Sequence, residues 1–290
     1  MSTDNAQDAS TVLPPIVSTE WLVANRSNVF VADVRWYLDG RPASVEFEAG
    51  HVEGAVFVDM DTDLSDHGQP AAMGRHPLPS PEYFAAAMGR LGIDGNTPVV
   101  AYDDSGGATA GRLVVMLRSL GCPAAILDGG MRAWPGALAG GPAAPPVPAV
   151  FRSRPWPTDR FATADEVGSV SEGRQPGLLL DARSGDRYRG ESEPIDPRAG
   201  HVPGAVNAPW AANLDGATGR FLPAAHLQDR YASLGVSDTV DVVCYCGSGV
   251  SACADVLAIE HAGFRPPRLF VPSWSGWSSD PGRPVAAGDG

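Results

Sequence analysis

One cysteine in this chain stands where a thiol could do chemistry. In VVCYCGSGVSA (residues 242–252) an apolar run ends at Cys246, and Gly247, Ser248, Gly249, Val250, Ser251 and Ala252 lead into a helical stretch. Two glycines let successive backbone N–H groups point inward, and a helix start adds the positive end of its dipole. A cradle of this kind lowers a cysteine pKa below its ordinary value of about 8.5 and makes the thiolate a nucleophile at neutral pH. A cysteine at a strand end is more commonly a small buried hydrophobe, but packing alone gives no reason for a Gly-x-Gly loop after it. Two other uses of such a loop are weaker. A cysteine phosphatase needs an arginine six residues after the cysteine to grip phosphate with both arms, and that position is Ala252. A non-catalytic sulfur-binding or scaffold module would require Cys246 to be unreactive, which the retained small residues argue against.

The elements that must hold this loop repeat along the chain. Residues 29–33, 98–102, 178–181 and 240–245 are β-branched runs of strand length, and residues 108–120 and 251–263 carry apolar residues at helical spacing with glycine near the end. Strand, loop and helix in alternation predict parallel α/β structure, with ligands outside the carboxyl ends of the strands. The pattern is also duplicated. DVR and then EAGHVEGAVFVDMDTDL, from Asp33, return as DAR and RAGHVPGAVNAPWAANL from Asp181, and PVVAYDDSGGATAGRLVVML is echoed by VDVVCYCGSGVSACADVLAI. The expected organisation is a first domain over 12–138, a Pro/Gly-rich linker over 139–157 and a second domain over 158–290. In that register Asp103 stands where Cys246 stands, so the first copy keeps the fold and lacks the nucleophile. The Asp33/Arg35 and Asp181/Arg183 pairs and the histidines His51 and His201 occur in both copies, which assigns them structural roles. Trp36 and Tyr37 follow the first such pair and are candidates for a pocket wall or for aromatic core.

Composition narrows the class further. The chain has 290 residues, a formal charge of −13 and no lysine, so all 21 of its basic residues are arginines, and none forms a basic run. Nucleic acid and anionic membrane surfaces are therefore poor partners. No apolar run approaches the ~18 residues of a membrane span, and MSTDNAQDAS lacks the basic and apolar regions of a secretory signal. A cytoplasmic location is expected. Four cysteines, Cys122, Cys244, Cys246 and Cys253, are too few and too uneven for a disulfide framework. Cys244 and Cys253 could join Cys246 in a redox pair or metal site, but small buried side chains are the simpler assignment.

The tandem repeat, the duplicated DxR and AGHVxGA segments, the CGSGVSA loop and the closing SWSGW (273–277) resemble the two-domain rhodanese (sulfurtransferase) family. The resemblance implies two tandem α/β domains, each a parallel five-stranded sheet flanked by helices. It further implies that Cys246 carries a persulfide sulfur between a small-molecule donor and a thiol, cyanide or thioredoxin acceptor, with no metal or organic cofactor, in a monomer or weak dimer. Thiosulfate-using members place two cations in the loop. Gly247 and Ser248 occupy those positions here, which is similar to 3-mercaptopyruvate sulfurtransferases, and a loop without cations should bind a dianionic donor poorly. The resemblance assigns donor-carboxylate binding to Arg187 and proton handling to Ser248 with His76 and Asp61 of the first domain. A second carboxylate-binding arginine commonly follows soon after the first, but ESEPIDPRAGH is shorter than that pattern and Arg198 does not align with it.

Overall fold

The computed structural model describes residues 13–142 and 144–289; the expected domain ends at Val12 and Gly290, and the segment MSTDNAQDAS, lie outside them. Two parallel α/β units follow one another. The first holds a five-stranded sheet in the order Ile16–Val17, Ala124–Leu127, Val99–Tyr102, Phe30–Asp33, Val56–Phe57, with every pairing parallel. The second repeats the last four strands of that order as Arg268–Leu269, Val242–Tyr245, Leu178–Asp181, Val206–Asn207, again all parallel. Among the described residues it has four strands where five were expected. The fifth place is held by a single parallel bridge, Phe161 to Leu269, because the chain there extends for too short a stretch to form a ladder.

Expected and observed elements agree at their centres. The strand expected over 240–245 runs Val242–Tyr245, and the helices expected over 108–120 and 251–263 run Ala110–Ser119 and Ala252–His261. From Ala252 to Ile259 every residue of the second of these helices is buried. A helix apolar on all sides must be covered on all sides. One side meets its own sheet and the other meets helix Ala110–Ser119 of the first unit, where a Cβ on Gly111 would lie 3.2 Å from the Cβ of Cys253. A single apolar cluster accordingly runs from Ile16, Leu113 and Leu117 through Cys253, Val256 and Leu257.

The proline-rich stretch is extended yet attached. Leu138–Ala139 pairs antiparallel with His51–Val52, so its first residue already belongs to a ribbon of the first unit. Further along, Ala149 donates to the Gly89 carbonyl at 2.8 Å, Phe151 is buried, and the Trp156 indole N–H donates to the Pro79 carbonyl at 2.8 Å. It is a strap across the first unit rather than a free tether.

Candidate active site

The repeated residues build the same scaffold twice. Asp33 accepts from the Arg35 side chain at 2.8 to 3.1 Å, and Arg35 also donates to the Gly50 carbonyl at 2.8 Å; Asp181, Arg183 and Gly200 make the same set. His51 Nδ1 lies 2.8 Å from the Phe47 carbonyl and stacks on its ring, and His201 does the same with Tyr188. Buried in both copies, these groups fix the turns that deliver each strand end.

Cys246 lies at the end of the central strand of the second sheet and is almost fully buried. Its loop is clamped from behind. Trp274 N–H donates to the Cys246 carbonyl and Ser275 N–H to the Gly247 carbonyl, each at 2.9 Å, while Cys246 N–H donates to Ser273 Oγ at 3.2 Å. The SWSGW segment is thus the backing of the loop. Gly249 has φ +74° and presses its Cα against the Val271 carbonyl, where any Cβ would collide. Among the described residues, the N–H groups of Gly247, Ser248, Gly249, Val250 and Ser251 meet no hydrogen-bond acceptor. The matching loop of the first unit shows what such N–H groups hold. There the Asp103 carboxylate accepts from the backbone N–H of Ser105 (3.0 Å), Gly107, Thr109 and Ala110 (2.8 Å each) and from the Thr109 hydroxyl (3.0 Å).

In front of Cys246 lies a cavity of about 370 Å³ lined by Trp36, Leu38, Arg75, Arg187, Ser248 and Ser251 among others. Trp36 is therefore a pocket wall. Tyr37 instead hydrogen-bonds Asp104 at 2.6 Å. Ser248 faces this cavity, while Asp61 and His76 line a neighbouring one that shares Trp36, Leu38, Arg75 and Ile195 with it. Asp61 accepts from the Trp36 indole at 3.0 Å and lies 3.4 Å from His76 Nε2 and 3.2 Å from His67 Nε2. Its hydrogen bond to His76 holds its pKa down at about 2. Burial lowers the pKa of His76 and so favours its neutral form. The structure thus pairs Asp61 with His76 and groups Ser248 with Cys246, but among the described residues no hydrogen bond joins Ser248 to His76.

A residue that sequence reading missed connects the two halves. Arg112 is fully buried on the first unit's loop helix and donates to the carbonyls of His76 (3.0 Å), Leu64 (3.3 Å) and Gly249 (3.0 Å). Its signal was available, as a lone charge inside the apolar run GRLVVML. The first unit is also docked directly. Arg75 N–H donates to Ser275 Oγ at 3.0 Å, and at Gly74 (φ +85°) a Cβ would lie only 2.5 Å from the Pro272 carbonyl.

The arginines divide clearly. Arg187 reaches the cavity and pairs with Glu193 (2.7 Å) and Asp196 (3.2 Å). Arg198 is not among the residues lining it, and each of its three guanidinium nitrogens donates instead to carbonyls of Trp277, Ser278, Asp280 and Arg283, at and just beyond the end of helix Ser273–Ser279. Arg75, which sequence reading passed over beside His76, does reach it and pairs with Asp196. The loop is free of cations, yet the pocket is not. Cys244 and Cys253 are buried thiols pushed up by desolvation, Cys253 to about 12, which suits packing rather than chemistry. Among the described residues no group of three or more His, Cys, Asp and Glu is placed to hold a metal ion.

Paired parallel α/β units with a strand-end cysteine in an amide loop define a rhodanese-fold protein. The rhodanese-like domain family matches residues 18–137 and 163–280, and the chain belongs to that family. It is 41% identical over 284 residues to a probable 3-mercaptopyruvate sulfurtransferase of Pseudomonas aeruginosa, covering 94% of this chain and 98% of that one. It is 40% identical to a putative thiosulfate sulfurtransferase of Mycobacterium tuberculosis, covering 90% and 91%. The crystal structure of the Escherichia coli 3-mercaptopyruvate enzyme SseA superposes with a TM-score of 0.79 at 29% identity, over 90% of this chain and 99% of that one.

Proposed function

We propose that this chain is a sulfurtransferase that takes sulfur from 3-mercaptopyruvate onto Cys246 and passes it to a small thiol, cyanide or thioredoxin. The carrying observation is the pair of loops: where Asp103 fills the first with a negative group held by four amides, the second offers its amides beside a buried thiol. The Cys246 thiolate attacks the donor's sulfur, an S–S bond forms, and the S–C bond breaks with its electron pair on carbon. The resulting enolate takes a proton and leaves as pyruvate. Ser248 stands on the cavity wall where that proton is needed, and neutral His76, aligned by Asp61, is the base that would take up the proton released when the thiolate forms and return it, as imidazolium, through Ser248. The loop amides then hold the terminal persulfide sulfur until an acceptor thiolate or cyanide attacks it and frees Cys246. Donor preference follows from Gly247 and Ser248, which contribute no charge, and from Arg187, whose Nη1 faces Gly247 while Nε and Nη2 are held by Glu193 and Asp196. Thiosulfate is the second reading, favoured by the Mycobacterium relative's name and by the two arginines near the loop.

Intact-mass measurement after exposure to each donor tests this. 3-Mercaptopyruvate is expected to add the mass of one sulfur atom, and Cys246→Ser to lose that adduct. A kcat/KM higher for thiosulfate than for 3-mercaptopyruvate would overturn the donor assignment.

A further inference from the structure

Four arginines reach the Cys246 loop or the cavity in front of it, and three of them are paired. Arg75 pairs with Asp196, Arg187 with Glu193 and Asp196, and Arg183 with Asp181 and Glu193, so these cations share three carboxylates. Arg112 is the exception. Fully buried on helix Ala110–Ser119, it gives Nη1 to the Gly249 carbonyl and Nη2 to the carbonyls of Leu64 and His76, while its Nε meets no acceptor. Among the described residues no carboxylate forms an ion pair with it. Burial lowers its pKa, but an arginine starts high enough to keep its charge at physiological pH. A buried charge without a counter-ion is costly. The ionisable side chains that act on Arg112 are the thiols of Cys253 and Cys246. Burial pushes Cys253 up to about 12 and holds it protonated, as it does Cys244 on the strand, which leaves Cys246 to carry the answering charge.

We propose that Arg112, supplied by the first domain, is a positioning residue for sulfur transfer: its charge, applied to the Gly249 carbonyl behind the loop, stabilises the negative sulfur that Cys246 bears in front. This deepens the sulfurtransferase reading above and rests on it. The route is a single peptide unit. The Gly249 carbonyl and the Val250 N–H belong to one planar group and point opposite ways. Its carbonyl end takes Arg112 at 3.0 Å and the Cys253 thiol at 3.5 Å, and its N–H end meets no acceptor among the described residues. A cation on the oxygen polarises the group and strengthens the N–H that the loop offers to a thiolate or persulfide. A loop with no cation of its own is thus served by one from the other domain. Because Arg112 also holds the His76 carbonyl at 3.0 Å, one side chain sets both the nucleophile loop and the segment of the base.

The test compares the full-length wild type with Arg112→Gln, which keeps a donor for the Gly249 carbonyl but no charge, and Arg112→Lys, which keeps the charge. Neutral iodoacetamide reads the thiolate without any sulfur donor, as the adduct that intact mass shows in the wild type and that Cys246→Ser lacks. Arg112→Gln should slow this alkylation at pH 7 roughly tenfold and move its pH profile upward by about one unit, with kcat/KM for sulfur transfer falling by a similar factor. Arg112→Lys should restore most of the rate and the wild-type profile. A residue that only joins the domains would lower Tm in both variants and leave the profile where it was. An Arg112→Gln profile matching the wild type, or an equal displacement in Arg112→Lys, overturns the proposal. If Arg112→Gln does not fold, the Arg112 Nε–H resonance of wild type isotope-labelled in arginine carries the test: it should shift over the pH range in which Cys246 alkylation rises, and stay still in Cys246→Ser. No shift in the wild type overturns the proposal as well. If the wild type takes sulfur from neither 3-mercaptopyruvate nor thiosulfate, the sulfurtransferase reading falls instead, and the alkylation profile still decides whether Arg112 acts on Cys246.

Discussion

The two loops of this molecule are the same backbone device with opposite contents. After the first central strand, Asp103 folds its carboxylate into its own ring of N–H groups and closes the device; after the second, Cys246 leaves the ring to be filled from outside. The left-handed glycine is kept in both, Gly106 at φ +75° and Gly249 at φ +74°. Duplication has thus preserved the anion-binding geometry separately from its use. The same contrast recurs further along the two loop helices. Arg112 and Asp255 occupy matching places on them and both are fully buried. Arg112 reaches across to the Gly249 carbonyl and the first domain's His76 segment, whereas Asp255 accepts from Asn213 (2.7 Å) and Tyr231 (3.0 Å) inside its own domain. The copy without a nucleophile has become a brace for the copy that has one.

The sharpest way to break this comparison is to make the loops alike. Cys246→Asp should abolish sulfur transfer while the protein stays folded, its new carboxylate taking the loop amides as Asp103 does; a variant that unfolds, by circular dichroism, would show that the loops are not equivalent cradles. Next in size is the serine contrast. Ser248→Ala should lower kcat with 3-mercaptopyruvate by about 10²-fold, the usual contribution of a positioned proton donor, and barely affect thiosulfate, which releases sulfite rather than a carbanion. Ser105→Ala, at the matching position, should leave both rates alone.

The glycines come third. Gly249→Ala meets the backbone of Val271, but Gly106→Ala meets only the end of the Leu214 side chain, which can move. Both substitutions are strained by positive φ, at a cost of about 1–2 kcal/mol, and Gly249→Ala should cost more than Gly106→Ala in a denaturant titration. The smallest effect concerns Asp255. Burial raises its pKa to about 7, so between the ordinary carboxylate value of 3.8 and pH 7 the folded protein holds a proton that the unfolded chain has lost. Stability contributed at low pH must therefore fall as pH rises from about 4 to about 7. Asp255→Asn should flatten that decline, raising Tm relative to wild type at pH 8 more than at pH 5.

Much of this was legible in the chain. Strand ends at Asp33, Tyr102, Asp181 and Tyr245 follow from β-branched runs meeting polar turns, and the loop around Cys246 follows from its glycines. The reduction of the second sheet's fifth strand to the Phe161–Leu269 bridge was not legible, because strand length depends on a partner that is distant in sequence. Nor was the division among arginines: local spacing cannot say that Arg198 bends toward the end of a helix some eighty residues later, or that Arg75 crosses a domain boundary to meet Asp196.

Residue type and local order were enough to establish the duplication, the single strand-end nucleophile, the absence of lysine and the neutrality of the Gly247–Ser248 pair. Which charges face Cys246 was settled at the level of packing. A guanidinium at the end of a long side chain is placed by where its elements dock, and docking rests on contacts such as Gly74 against Pro272 and Gly111 against Cys253, which bring together residues far apart in the chain.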